Sequence, residues 1–236
     1  MSILTTHVGS LPRPKNVSDL LFKRENNEVY EQKYFDEVIS NGVYEVVKKQ
    51  IDIGIDIISD GEMSKISYAT YVKDRYNGFA GDSERNPPLD LEKFPNYMKK
   101  IADSGGTPTY SRPCCVSEIA SKHNNDLSND INNLLSASKK FKHKNIFMNS
   151  ASPGVISLFL SNSYYSSRNE YLDAISKAMK DEYETIVKSG IKLQLDCPDL
   201  ALSRHMTFKK ESDEDFIKIA YQNIEILNQS LHNISP

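Results

Sequence analysis

The stretch Ile191-Lys192-Leu193-Gln194-Leu195-Asp196-Cys197-Pro198-Asp199 reads as an apolar strand that ends in carboxylates, directly after a helix closed by Ser189-Gly190. In barrels of alternating strands and helices the C-terminal strand ends carry the chemistry, so a carboxylate at such a tip is placed to hold a ligand. Glu62 stands in a comparable place, after Asp60-Gly61 and the apolar run Ile55–Ser59. Both carboxylates also have plain structural uses: Glu62 as a first-turn acid on the following helix, Asp196 as a cap for the turn into Pro198. Gly9-Ser10 ends the first strand, where a backbone N–H and a hydroxyl can hold a substrate carboxylate or simply turn the chain. Alternation puts His7 on the same strand face as Gly9, a position as open to packing as to chemistry. Arg13 is placed to meet an anionic tail or solvent, while Asp60 and Asp199 read as surface or capping residues.

The cysteines read as structural thiols. Cys114 and Cys115 are adjacent in a strand, so their side chains point to opposite faces and do not share one tetrahedral metal. Cys197 and His205 lack a third and fourth ligand at sensible spacing. No metal site and no catalytic nucleophile is assigned from these residues, and no Gly-rich phosphate loop, nucleophile elbow or dinucleotide fingerprint is present.

The elements that must position these residues alternate short apolar strands with longer amphipathic helices, the pattern of an α/β fold with parallel strands. The expected strands are Ile3–Gly9, Ile55–Ser59, Thr109–Val116, Asn145–Ser150 and Ile191–Asp196. The expected helices are Val29–Ile53, Arg168–Ser189 and Asp213–His232; in the second, Tyr171, Ile175, Met179, Tyr183 and Ile186 recur at helical spacing. Gly54 and Gly190 stand just past helices, where a left-handed residue ends the last turn. The stretch 77–108 reads as a long irregular insertion over the barrel mouth with a short helix near Leu89–Ala102, and Asn124–Asn133 reads as polar surface.

A chain of 236 residues suits one domain, 1–236. A net charge of -3 supplies no basic field to recruit nucleic acid. The longest apolar runs are too short to cross a bilayer, and Met1–Thr6 lacks the regions of a signal peptide, so a cytoplasmic location is expected.

Several segments together resemble the catalytic domain of cobalamin-independent methionine synthase, and most closely its short single-barrel relatives, a group that includes epoxyalkane:coenzyme M transferase. They are Thr5-Thr6-His7-Val8-Gly9-Ser10-Leu11-Pro12-Arg13-Pro14, Gly54-Ile55-Asp56-Ile57-Ile58-Ser59-Asp60-Gly61-Glu62-Met63, Ala151-Ser152-Pro153-Gly154, Tyr164-Tyr165, and Leu193 to Ala201. They follow one another in family order. The resemblance implies a TIM (β/α)8-type barrel, of which this chain carries about the first five strand-helix units and is C-terminally truncated.

The chemistry implied is methyl transfer from 5-methyltetrahydrofolate to the thiol of homocysteine, with zinc removing the thiol proton. A free thiol titrates near ~8.5 and stays mostly protonated at neutral pH. The family's zinc ligands include a His-x-Cys pair, which this sequence lacks, so turnover by this chain alone is not expected. The resemblance makes Ser10, Glu62 and Asp196 substrate-binding residues, with Gly9 and His7 beside them. Two carboxylates suit the ammonium of homocysteine, whereas coenzyme M carries a sulfonate and no amine. The alternatives are a non-catalytic truncated relative that binds a small molecule and a coenzyme M transferase of the same superfamily. The partners expected are small-molecule substrates together with self-association or a complementing C-terminal chain, since open strand edges invite pairing; no nucleic acid or membrane is expected.

Overall fold

The computed structural model describes residues 3–83, 89–103 and 112–235. It is a mixed α/β structure whose chain divides into two compact units. The first comprises Met1–Arg75, Ser121–Ser150 and Asp181–Leu195; the second comprises Tyr76–Ala120, Ala151–Lys180 and Asp196–Pro236. Among the described residues, no helix is long and apolar enough to cross a membrane.

A parallel ladder organises the first unit. Thr6 bridges Ile57, Ile58 bridges Ile146, and the strand β3, Phe147–Ala151, pairs with β4, Lys192–Asp196. Lys192 N–H donates to the Ile146 carbonyl and Ser152 N–H to the Asp196 carbonyl, so the numbers rise together as parallel pairing requires. The helices Lys15–Glu25, Gln32–Asp52 and Asp126–Lys140 cover the ladder with Leu21, Phe35, Val43, Val47 and Leu134 against Ile58, Ile146 and Met148. Helix Gln32–Asp52 begins on Glu31, whose carboxylate accepts from the N–H groups of Lys33 and Tyr34. That satisfies two of the donors a helix start leaves open.

The strands β1, Tyr76–Ala80, and β2, Cys114–Ser121, pair in the second unit. Ser83 N–H meets the Arg112 carbonyl while Gly78 lies against Glu118, so the register runs antiparallel. The helix Pro153–Phe159 starts on Ser152, whose hydroxyl accepts from Val155 N–H at 3.1 Å. Helix Asp213–Ser230 starts on Ser212, with Asp213, Glu214 and Asp215 in its first turn complementing the dipole.

Several sequence expectations change. The strand expected at Thr109–Val116 begins outside the described residues, and its described part runs to Ser121 and pairs with Tyr76–Ala80 rather than joining the ladder, in which Ile58 meets Ile146 directly. The ladder therefore has four successive strand positions among the described residues, where five units were expected. Residues 77–80 of the expected irregular insertion belong to the strand Tyr76–Ala80. Asn124–Asn133, read as surface, contains the start of a helix whose Ile131 is buried, because Leu127, Ile131 and Leu134 share one helical face. The helices at Gln32–Asp52, Arg168–Lys188 and Asp213–Ser230 lie where periodicity puts them, and Gly54 and Gly190 have φ 82 and 78.

Candidate functional site

The chain leaves the second ladder position through Ser59-Asp60-Gly61 and brings Glu62 into the interior at φ 55, a left-handed conformation uncommon for a residue with a side chain. Three contacts hold its backbone. Asp60 Oδ1 accepts from Glu62 N–H at 3.0 Å, and Arg13 donates to the Glu62 carbonyl from Nη2 at 3.0 Å and Nε at 3.3 Å. Arg13 Nη2 also donates to the Lys65 carbonyl at 2.6 Å. The guanidinium is thus a structural brace for this turn, in place of the anion-binding or solvated role open to it from sequence.

The Glu62 side chain is only 1% exposed. Ser10 Oγ donates to its Oε2 at 2.5 Å, and Asn149 Nδ2 donates to its Oε1 at 2.6 Å. Among the described residues Glu62 forms no ion pair, so both of its donors are neutral. A carboxylate has about four lone-pair positions, and two donors leave room for more. Lys65, itself buried, donates Nζ to the Asn149 backbone carbonyl at 2.8 Å and lies over the Tyr71 ring at 4.6 Å. Burial pushes the Asp60 carboxyl up, against the lowering effect of Lys65. Asp60 is therefore neither surface nor a simple cap but a buried acid under the Glu62 turn.

Beneath this turn lies a second buried network. Glu182 Oε1 accepts from Tyr71 Oη at 2.5 Å and Ser150 Oγ at 2.6 Å, while Arg75 spans Glu182 Oε2 and Asp130 Oδ2 at 2.5 Å each. Burial pushes Glu182 up, but Arg75, Lys65 and the two hydroxyls hold it below the ordinary glutamate value. A cleft of about 740 Å³ in the first unit is lined by Arg24, Lys65, Tyr71, Asp74, Arg75 and Asp126 among others, but not by Ser10, Glu62 or Asn149. Its charges answer one another, as in Arg24–Asp74 at 3.4 Å and Arg75–Asp130, so size alone does not mark the site.

The remaining sequence candidates fall as follows. Ser10 is exposed and its hydroxyl is engaged by Glu62 rather than left for a substrate carboxylate. Gly9 has φ 73, and a Cβ there would meet nothing, so conformation rather than space calls for glycine. His7 is half-buried, and its carbonyl accepts from Thr6 Oγ1 at 3.3 Å. Asp196 ends β4 and belongs to the second unit, half-buried, with its carbonyl accepting from Ser152 N–H at 3.1 Å. Sequence reasoning missed Asn149, and the available signal was a polar residue inside a strand whose five residues are all buried.

In the second unit Asp199 is buried rather than at the surface. It accepts from Ser152 Oγ at 2.7 Å and Asn223 Nδ2 at 2.8 Å, beside a 250 Å³ cavity that Arg168 also lines. Burial, with Asp199 nearby, pushes the Cys197 thiol up to about 11. Among the described residues no group of three His, Cys, Asp or Glu side chains is placed to hold a metal ion. The described residues thus offer no set that fits the zinc that the resemblance implies.

The family described as the catalytic domain of cobalamin-independent synthase matches residues 3–86, the stretch that carries Ser10, Asp60 and Glu62. The methionine synthase of Sulfolobus acidocaldarius is 27% identical over 196 residues, covering 82% of this chain and 51% of that protein. These likenesses support a kinship with the cobalamin-independent methionine synthase family. It spans about half the length of the curated methionine synthases it matches. A Bifidobacterium longum relative, a 5-methyltetrahydropteroyltriglutamate–homocysteine methyltransferase, is 33% identical over 75 residues, covering 32% of this chain and 10% of that protein. A B12-independent methionine synthase from a Shewanella species, solved in complex with selenomethionine, shares the fold with a TM-score of 0.67 at 17% identity, covering 98% of this chain and 58% of that one.

Proposed function

We propose that this chain is a member of the methionine synthase family and supplies the amino-acid end of a substrate site, with Glu62 receiving the ammonium group of homocysteine. The observation that carries this reading is a buried carboxylate whose donors, Ser10 and Asn149, are both neutral. Burying a carboxylate is costly; the Arg13 guanidinium on the Glu62 backbone offsets part of that cost, and an ammonium group placed against the carboxylate offsets more. A substrate with a thiol but no amine gains nothing from such a group, which disfavours coenzyme M. Asp196, Gly9 and His7 are each proposed as substrate-binding residues on their sequence alone.

The complete reaction proposed for the family protein is methyl transfer from 5-methyltetrahydrofolate to the homocysteine thiol, within a (β/α)8-type barrel of which this chain is one part. The name of the Bifidobacterium relative, a 5-methyltetrahydropteroyltriglutamate–homocysteine methyltransferase, supports that choice of substrates. The fold shared with the Shewanella enzyme supports the barrel.

Titration calorimetry of L-homocysteine into the purified chain tests the reading. Glu62→Gln keeps the shape and removes the charge, and the affinity is expected to fall by about tenfold or more, the loss of one charge-assisted hydrogen bond. An unchanged affinity in Glu62→Gln, or equally tight binding of 2-sulfanylethanesulfonate by the wild-type chain, sinks it.

A further inference from the structure

Strand β3 presents its two faces to different partners. Met148 joins the core beneath the helices and Ser150 reaches Glu182, so alternation sends Phe147, Asn149 and Ala151 to the opposite face. On that face a buried apolar residue would serve packing. Asn149 instead carries an amide, 3% exposed, and its Nδ2 meets Glu62 Oε1 at 2.6 Å. Its own backbone is pinned in turn, since the carbonyl accepts from Lys65 Nζ at 2.8 Å.

We propose that Asn149 is a positioning residue for amino-group recognition: it fixes the Glu62 carboxylate in the one orientation that meets an ammonium ion. This rests on the reading of Glu62 given above. Glutamate has rotatable bonds that a buried carboxylate with one partner would still explore. Here each oxygen has its own donor, Ser10 on one and Asn149 on the other, so the plane of the carboxylate is set before a ligand arrives. Neutral donors do this without cancelling the charge; an arginine or lysine in place of Asn149 would hold Glu62 equally well and compete with the substrate. Asn149 thus serves selectivity for an amine-bearing thiol over the same thiol without its amine.

Two ligands isolate that role: L-homocysteine and 4-sulfanylbutanoate, which keeps the thiol and the carboxylate and lacks the amino group. The full chain, as wild type and as Asn149→Leu, is titrated with each, and thermal melts verify that the variant is folded. The wild type is expected to prefer homocysteine by about tenfold or more. Asn149→Leu is expected to lose most of that preference while its affinity for 4-sulfanylbutanoate stays within about twofold. A folded variant that keeps the preference overturns the proposal, as does one that loses both ligands alike, since a merely structural role moves both. Should Asn149→Leu not fold, Asn149→Ser, which shortens the donor out of reach at smaller volume, carries the same comparison. A wild-type chain with no preference removes the reading of Glu62 itself, an outcome distinct from the other two.

Discussion

Glu182 shows how a single buried side chain sets a pH limit. Its carboxylate is caught between Arg75 and the hydroxyls of Tyr71 and Ser150, and despite burial its pKa lies below the ordinary 4.5. A carboxyl depressed in the folded state contributes stability that is fully present above its unfolded value and is lost as pH falls through the folded one. The wild-type urea midpoint is therefore expected to drop as pH is lowered below about 4.5, and Glu182→Gln should lack that component. At neutral pH the same variant leaves Arg75 with Asp130 alone and should cost about 3–5 kcal/mol, the usual loss on breaking a buried pair from one side. Asp60 works in the opposite sense: raised by burial, it contributes most below its ordinary 3.8 and less as pH rises through its folded value. A urea midpoint in Glu182→Gln that follows the wild type throughout the acid range would contradict the role given to this carboxylate.

At the scale of elements, three pieces of the second unit converge on Asp199. Ser152 caps helix Pro153–Phe159 and donates to one carboxylate oxygen, Asn223 of helix Asp213–Ser230 donates to the other, and Ser203 donates to the Asp199 carbonyl at 2.5 Å. Gly154 permits this approach, because a Cβ built there would lie 2.1 Å from Asp199 Oδ2 and 2.7 Å from Asn223 Nδ2. Gly154→Ala is expected to lower stability by about 1–3 kcal/mol or more, since the clash falls on a buried hydrogen-bonded group that cannot swing away. A melting temperature equal to wild type would show that the Asp199 junction is looser than its distances imply. The glycine reads from sequence only as part of Ser152-Pro153-Gly154, with nothing to say that a carboxylate 45 positions away presses on it.

For the whole molecule, the first strand is the exposed flank of the ladder. Ile3, Leu4 and Val8 are 94%, 57% and 74% exposed, on a segment tied to the next ladder position by the Thr6–Ile57 bridge and by the bonds of Thr5 to Asp56 and Ile57. Strand edges with apolar side chains promote association. Sedimentation velocity is expected to show concentration-dependent association of the wild-type chain, reduced in Val8→Lys. A monomer at every concentration in both would remove this face as a contact surface. The small net charge of -3 offers little long-range repulsion against such contacts.

What could be read in the sequence was whatever repeats or ends locally. Helical periodicity placed Gln32–Asp52, Arg168–Lys188 and Asp213–Ser230 within a few residues, because an amphipathic stripe writes its period directly into the chain. The strand-tip position of Glu62 and the short motif around Gly9-Ser10 were legible for the same reason. Helix Asp126–Lys140 was also legible, in Leu127, Ile131 and Leu134, but the Asn and Asp residues between them outweighed it. Tyr76–Ala80 was not: Asn77-Gly78 reads as a turn, and only the close approach of Glu118 makes that glycine part of a strand. The meeting of Ser10, Glu62 and Asn149 was decided by tertiary structure alone, over separations of 52 and 87 residues. Periodicity reports which face of an element is buried; which polar groups meet there depends on the register between strands, and no local pattern encodes that.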